Sequence, residues 1–368
     1  MYVFKIFDFG KKFIKFVPRI FSYSRNKSNF IDNFIKQNSF KILFIYKKNI
    51  KSKAFYYQLT KLLFNFKFDS NSLIQEKKSN SVHILKRTPP GAGLFSNYML
   101  ILEHFFLYPD NDYYIDWKNF KTFYNEKKPI LGTKNAFEYF WQQPFESSLN
   151  HIYRKRDYYI TSDRAGYDSF NFNELSTMLD TENIKRLHEC TLKIPLNKYT
   201  ENHVNDAFNN YLNGKSTLGV SHRSTDYTNL KEHGHYIQPT VKDLILEVRK
   251  LYKLEQFEQI FISSDDYLKI EEFKKNIGID VPVVSSERSL VNSNFYVRKY
   301  NQNEDLITET SAERENDLYL FGLEYLTDIY LLSKCDYFIG GFTSGSAAIL
   351  VLNNNKFKYK YLFDYGRY

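Results

Sequence analysis

At 368 residues the chain is long for one hydrophobic core and comfortable for two. Its 43% hydrophobic and 25% charged residues exclude a disordered chain, and Cys190 and Cys335 alone build neither a disulfide framework nor a zinc site, so a reducing compartment is the simplest reading. The net charge of +9 sits at the front: residues 1–60 hold 13 Lys/Arg against Asp8 and Asp32, an excess of 11, which leaves the rest of the chain at −2 (9 minus 11). A nucleic-acid enzyme carries its basic stripe across the folded body, so no nucleic-acid partner is expected.

In chain order, residues 1–21 mix Phe4, Ile6, Phe7, Phe9, Phe13 and Phe16 with Lys5, Lys11, Lys12, Lys15 and Arg19. Charges interrupt this stretch too often for a transmembrane helix, and it lacks the uncharged core of a signal peptide. Residues 1–40 form a basic amphipathic N-terminal segment, of which the aromatic stretch 1–21 suits the surface of an anionic membrane, the expectation being a cytoplasmic protein held peripherally. The alternative is a helix packed on the body with solvated lysines. KILFIY at 41–46 and SVHILK at 81–86 read as buried strands, with a helix from Phe55 to Phe66 between them. YYIDWK at 113–118 and DYYITSD at 157–163 are further strands, so residues 41–213 form an α/β domain with a parallel sheet.

PPGAGLFSNY follows the strand at 81–86, where Gly91 and Gly93 let a ligand approach the backbone closely. With Asp116 ending a strand 23 residues after Gly93, GxGxxS imitates a dinucleotide fingerprint that lacks its third glycine. An NAD-dependent enzyme therefore stands as one alternative.

A polar passage from Asn209 to Ser216 marks a domain boundary, and 214–368 alternates clearly. A strand at 217–223 leads through a long loop to a helix from Thr240 to Leu254. A strand at 259–264, a helix from Tyr267 to Asn276 and a short strand at 281–284 follow. The irregular stretch from Ser285 to Glu315 is too long for a plain connection and reads as a functional loop. A helix from Asn316 to Lys334, a strand at 337–340, a helix at 344–352 and a strand at 359–363 complete a Rossmann-like pattern. Ligands of such sheets bind beyond the carboxyl ends of the strands.

Those ends hold the polar residues. In LGVSHRSTDY, alternation puts Ser221 and Arg223 on one face and Leu218, Val220 and His222 on the other. The Arg223 guanidinium can hold a diphosphate bidentately; the competing reading is an ion pair with Asp226 that closes a surface loop. FISSDD places Asp265 and Asp266 at the same edge, suited to ribose hydroxyls or a base, although an aspartate at a helix start is equally a cap. On the helix 316–334, Asp328 falls on the edge of an apolar stripe, half-buried and in need of donors, which guanine N1–H and its 2-amino group would supply and so would a structural Arg or Lys. GGFTSGS at 340–346 is a small-residue turn entering a helix, where backbone N–H groups and the hydroxyls of Thr343 and Ser344 can receive phosphate.

Taken in order, these segments resemble the GDP-fucose-dependent fucosyltransferase superfamily, which includes the α1,6-fucosyltransferases and protein O-fucosyltransferases. GVSHRSTDY resembles its GVHxRxTD motif, FISSDD its strand ending in paired acids, and TDIYLLSKCDYFIGGFTSGSAA its helix aspartate and serine-rich turn. GAGLFSNY resembles the glycine loop of the acceptor-side domain, and NAFEYFWQQPF at 135–145 a segment of related enzymes. The resemblance covers about 217–368 well, and residues 1–80 have no counterpart in it.

The resemblance implies a GT-B fold, two Rossmann-like α/β domains facing across a cleft, and metal-independent inverting transfer from GDP-fucose to an oligosaccharide or glycolipid. By carry-over, Arg223 matches the diphosphate-holding arginine and Asp226 the acid that ends its motif. Asp265 and Asp266 match the nucleoside-side acids, Asp328 the guanine-binding aspartate, and Thr343 and Ser344 the hydroxyls near phosphate and fucose. The family histidine falls at Ser221, a departure that motivates a second alternative, a non-catalytic nucleotide-sugar or glycan-binding module. For the general base, the loop after Asp226 offers Glu232 and His235, with solvated surface as the competing reading.

Overall fold

The chain divides into two compact units, Met1–Glu76 and Lys77–Tyr368. The computed structural model describes residues 81–86, 93–118, 125–144, 152, 157–161, 172, 174–224, 231, 234–286 and 315–368, all within the second unit. The expectations for residues 1–66 lie outside the described residues, as does the functional loop expected from Ser285, beyond Ser286. No described helix is long and apolar enough to cross a membrane.

The α/β expectation is met by two parallel sheets. In the first, β1 (Ser81–Leu85), β2 (Asp112–Ile115) and β3 (Asp157–Thr161) lie in the order β2-β1-β3. Val82 and Ile84, two residues apart on β1, pack with Tyr114 of β2 and Ile152. α1 (Leu94–Leu107) connects β1 to β2, and 12 of its 14 residues are buried. A helix buried nearly all round, with Asn97, Glu103 and His104 among its buried residues, shows no clean 3.6-residue apolar stripe, which is why periodicity does not single it out.

α2 (Leu175–Leu179), α3 (Thr181–Thr191) and α4 (Lys198–Tyr211) follow. Asp180 caps α3 by accepting from Glu182 N and Asn183 N, and Asn197 caps α4 by accepting from Thr200 N. α4 continues through Tyr211, so the polar passage expected from Asn209 begins later, where Asn213 and Gly214 turn the chain at φ 47° and 71°. Burial of Val204, Ala207 and Leu212 keeps that last turn helical.

The second sheet holds β4 (Thr217–His222), β5 (Gln259–Ser264), β6 (Val283–Val284), β7 (Tyr337–Gly341) and β8 (Tyr359–Phe363), all parallel, in the order β6-β5-β4-β7-β8. β4 comes first in sequence yet lies in the middle: two strands add on one side, and the chain then crosses to add two on the other. The switch of direction falls between β4 and β7. α5 (Val241–Tyr252) and α6 (Tyr267–Asn276) cover one face through Leu218, Val220, Ile260, Ile262 and Ile339. α7 (Asp317–Ser333) and α8 (Ser344–Asn353) cover the other, through Phe261 and Phe338, in a core shared with α1, α3 and α4. Gly219 lets α7 in close, since a Cβ there would come within 3.0 Å of Leu332.

Candidate functional site

β5, β4 and β7 are hydrogen-bonded neighbours, with Ser221 in register with both Ser263 and Gly340. Their carboxyl ends therefore meet at the switch point, with about 4.8 Å from strand to strand. Arg223, Asp265 and the turn before α8 all emerge there.

Arg223 is held from β5. Its Nη1 lies 2.9 Å from Asp265 Oδ2, and Asp265 Oδ1 accepts from Ser224 N at 2.8 Å. One carboxylate thus fixes both the guanidinium and the backbone behind it. The Asp265 side chain is 8% exposed and that of Arg223 28%, so the arginine keeps a solvent-facing side while its anchor is buried. Asp265, expected to meet the nucleoside, is in this structure the clamp of Arg223. Asp226, the other acid offered to Arg223, lies outside the described residues.

Asp266 has the cap role. It starts α6, accepts from Leu268 N at 3.0 Å, and is 2% exposed, so its carboxylate is committed to the fold. His222 points to the opposite face from Ser221, as alternation requires, and its Nδ1 lies 3.2 Å from Ser264 Oγ, which in turn accepts from Asp266 N. Burial lowers the His222 pKa below its ordinary value, leaving the ring neutral at pH 7. Its unfolded pKa is about 6.5, so the unfolded chain takes the proton first. Stability from this site is complete above that pH and is lost as pH falls towards the depressed folded value. We expect the urea midpoint to drop as pH is lowered through about 6.5, with a shallower drop in His222→Asn.

Asp328 is fully buried, at 1% exposure, and not half-buried as the stripe on α7 implied. Neighbouring Leu326, Thr327, Ile329, Leu331 and Leu332 are buried as well, so α7 has a broader apolar surface than one stripe. Asp328 Oδ2 accepts from Ser263 Oγ at 2.7 Å and Oδ1 from Ser286 Oγ at 2.5 Å. These serines supply the donors that a buried carboxylate needs. The sequence offered no sign of Ser286.

The turn before α8 is tightly packed. Thr343 caps the helix, accepting from Ser346 N at 3.1 Å. A helix's first N–H groups have no intrahelical partner, and those of Ser344 and Gly345 open the first turn behind this cap. Gly341 is obligatory: a Cβ there would come within 2.7 Å of Pro239 Cδ and run into Gln238 Oε1. Gln238 Nε2 donates to Tyr236 O at 3.0 Å and Phe342 O at 3.1 Å, stapling the segment after β4 to this turn. Neither Gln238 nor Tyr236 had been singled out.

Of the base candidates, Glu232 lies outside the described residues, and His235 is half-buried in a segment paired with residues 366–368. Gly91 is also outside the described residues. Gly93, at φ −60°, is the N-cap of α1, with open space at its α-carbon. The dinucleotide reading finds its strand in β1 and its helix in α1. Its Asp116, however, is 4% exposed on the side chain, 2.9 Å from Lys86 Nζ, and accepts from Lys118 N. That carboxylate is already committed. Asn135 and Gln143, from the NAFEYFWQQPF segment, bracket the end of β2: each donates to Ile115 O at 2.8 Å, and Glu138 accepts from both.

No protein-family model and no curated protein matches the chain. Among solved structures the chain is similar to NodZ alpha-1,6-fucosyltransferase soaked with GDP-fucose, at 12% identity and a TM-score of 0.44, over 74% of this chain and 92% of that one. Fucosyltransferase NodZ from Bradyrhizobium aligns at 16% identity and 0.41, over 75% and 92%. POFUT1 in complex with GDP aligns at 10% and 0.44, over 78% and 99%.

Proposed function

We propose that the protein transfers fucose from GDP-fucose to a hydroxyl of a glycan or glycolipid, with inversion and without a metal ion. The observation that carries this reading is Arg223, anchored by Asp265 at the switch point of a parallel sheet, beside the strand that opens α8. A guanidinium and a helix N-terminus at adjacent strand ends form a receptor for a diphosphate. The ordered sequence motifs add the guanosine and the fucose.

In this mechanism Arg223 and the first turn of α8 receive the charge that builds on the departing diphosphate. The acceptor oxygen forms its bond to the fucose anomeric carbon while the bond from that carbon to the phosphate oxygen breaks. GDP leaves with the electron pair, and the acceptor proton passes to a base, for which Glu232 and His235 are the candidates. Asp328, which already accepts from Ser263 and Ser286, has lone pairs beyond these two hydrogen bonds with which to accept from guanine.

A panel of ligands tests the reading. GDP and GDP-fucose, at about a hundredfold over their dissociation constants, should stabilise the fold by about 2.7 kcal/mol and raise the melting temperature by a few degrees. UDP-sugars and NAD should not. Selective stabilisation by a uridine or thymidine donor would remove fucose from the proposal, and stabilisation by NAD would favour the fingerprint at Gly91 and Gly93. Tight GDP-fucose binding without hydrolysis or transfer would favour a binding module.

A further inference from the structure

Tyr236 gathers three distant parts of the chain. Its hydroxyl accepts from Leu175 N at 3.1 Å and from Arg367 Nη2 at 3.2 Å, and lies 3.5 Å from Glu174 Oε2. The Arg367 guanidinium also covers the Tyr236 ring, 4.4 Å from its centroid, while it pairs with Glu174 at 2.8 Å. The same ring meets Phe342 edge-on at 5.0 Å, one residue before the Thr343 cap. Around this hub the backbone of 366–368 is laced to the segment after β4. Gly234 N donates to Tyr368 O, Tyr368 N to His235 O, and Ile237 N to Gly366 O, at 2.9–3.1 Å.

We propose that residues 366–368 act as a strap that positions the His235-bearing segment for the transfer step, with Tyr236 and Arg367 as its positioning residues. The inference rests on the transferase reading above. A loop that follows a strand end has few contacts of its own and samples many conformations. Here one aromatic side chain, anchored at its hydroxyl by a guanidinium and a helix-start amide, removes that freedom next to the phosphate turn. Tyr236 and Arg367 stand outside the diphosphate receptor itself, so the strap governs the geometry of transfer and not the holding of the donor. Preorganisation of this kind appears in turnover more than in ground-state binding.

The test uses the full chain with Tyr236→Phe, which keeps the ring on Phe342 but loses the hydroxyl, and Arg367→Ala, which removes the lacing charge. Each is measured for melting temperature, GDP affinity by calorimetry, transfer rate, and amide hydrogen exchange at Gly234 and Ile237. We expect exchange at these two amides to quicken and kcat to fall, each about tenfold, with GDP affinity within about twofold and melting close to the parent. Unchanged exchange, an unchanged kcat, or a fall in affinity that matches the fall in kcat overturns the strap. A parent protein that fails to bind GDP-fucose overturns the transferase reading instead, and that result is visible before any variant is made.

Discussion

Arg223→Lys is expected to lower turnover with GDP-fucose by about 30- to 900-fold, a loss of about 2–4 kcal/mol of barrier lowering. The substitution keeps one positive charge, so simple attraction for the donor survives. It removes the planar fork, which is the part that does two things at once here: one nitrogen rests on Asp265 Oδ2 at 2.9 Å while the group keeps a solvent-exposed side on which it can meet a ligand. A lysine ammonium can satisfy Asp265 or follow the departing phosphate, and it has no second arm fixed in the same plane. The loss should therefore fall on kcat, with a smaller change in donor affinity, because charge on the leaving diphosphate grows only as the bond breaks. A lysine variant turning over near the parent rate would sink this mechanism, as would full dependence of the parent on added Mn²⁺.

The second large effect is expected at Asp265. Asp265→Ala removes both the Arg223 contact and the acceptor for Ser224 N, and should lower turnover about 10- to 100-fold. Asp265→Asn keeps an acceptor for the amide and should lose less. The informative experiment is the double-mutant cycle with Arg223→Lys. An aspartate that acts by aiming Arg223 has little left to contribute once the fork is gone, so the two losses should fall short of additivity by about 1–3 kcal/mol. If the losses add fully, and GDP affinity carries the Asp265 share, the carboxylate is meeting the nucleoside directly and the clamp is incidental.

Most of the second sheet was legible because its strands alternate with helices whose starts are marked by capping residues. Thr240 with Asp243, and Asp266, both sit at the edges of periodic runs. α1 was hidden for the opposite reason, its burial on all sides. α3 and α4 left signals that went unread, the caps Asp180 and Asn197. Within the site, strand alternation separated Ser221 from His222. It could not tell which of two adjacent aspartates would cap α6 and which would turn to Arg223, since that depends on the path of a different strand. Tyr236 and Arg367 are 131 residues apart, and neither carries a motif; only the folded chain shows that they touch. The same holds for Ser286 and Asp328, where a single serine at the end of a short strand gives no warning of a buried carboxylate.

The order of the second sheet also bears on how the chain reaches its native state. β4 finds its β5 partner after one helix, but Thr217 N must wait for Asp336, 119 residues onward, before the other side of the strand is closed. The switch point between β4 and β7 therefore forms through one of the longest loop closures in the sheet, at an entropic cost that local contacts cannot offset beforehand. A chain still emerging from the ribosome holds Arg223 on an unprotected strand edge until β7 arrives. Refolding monitored at the nucleotide site should accordingly lag behind the recovery of helical signal, because the pieces that receive the diphosphate are among the last to become neighbours.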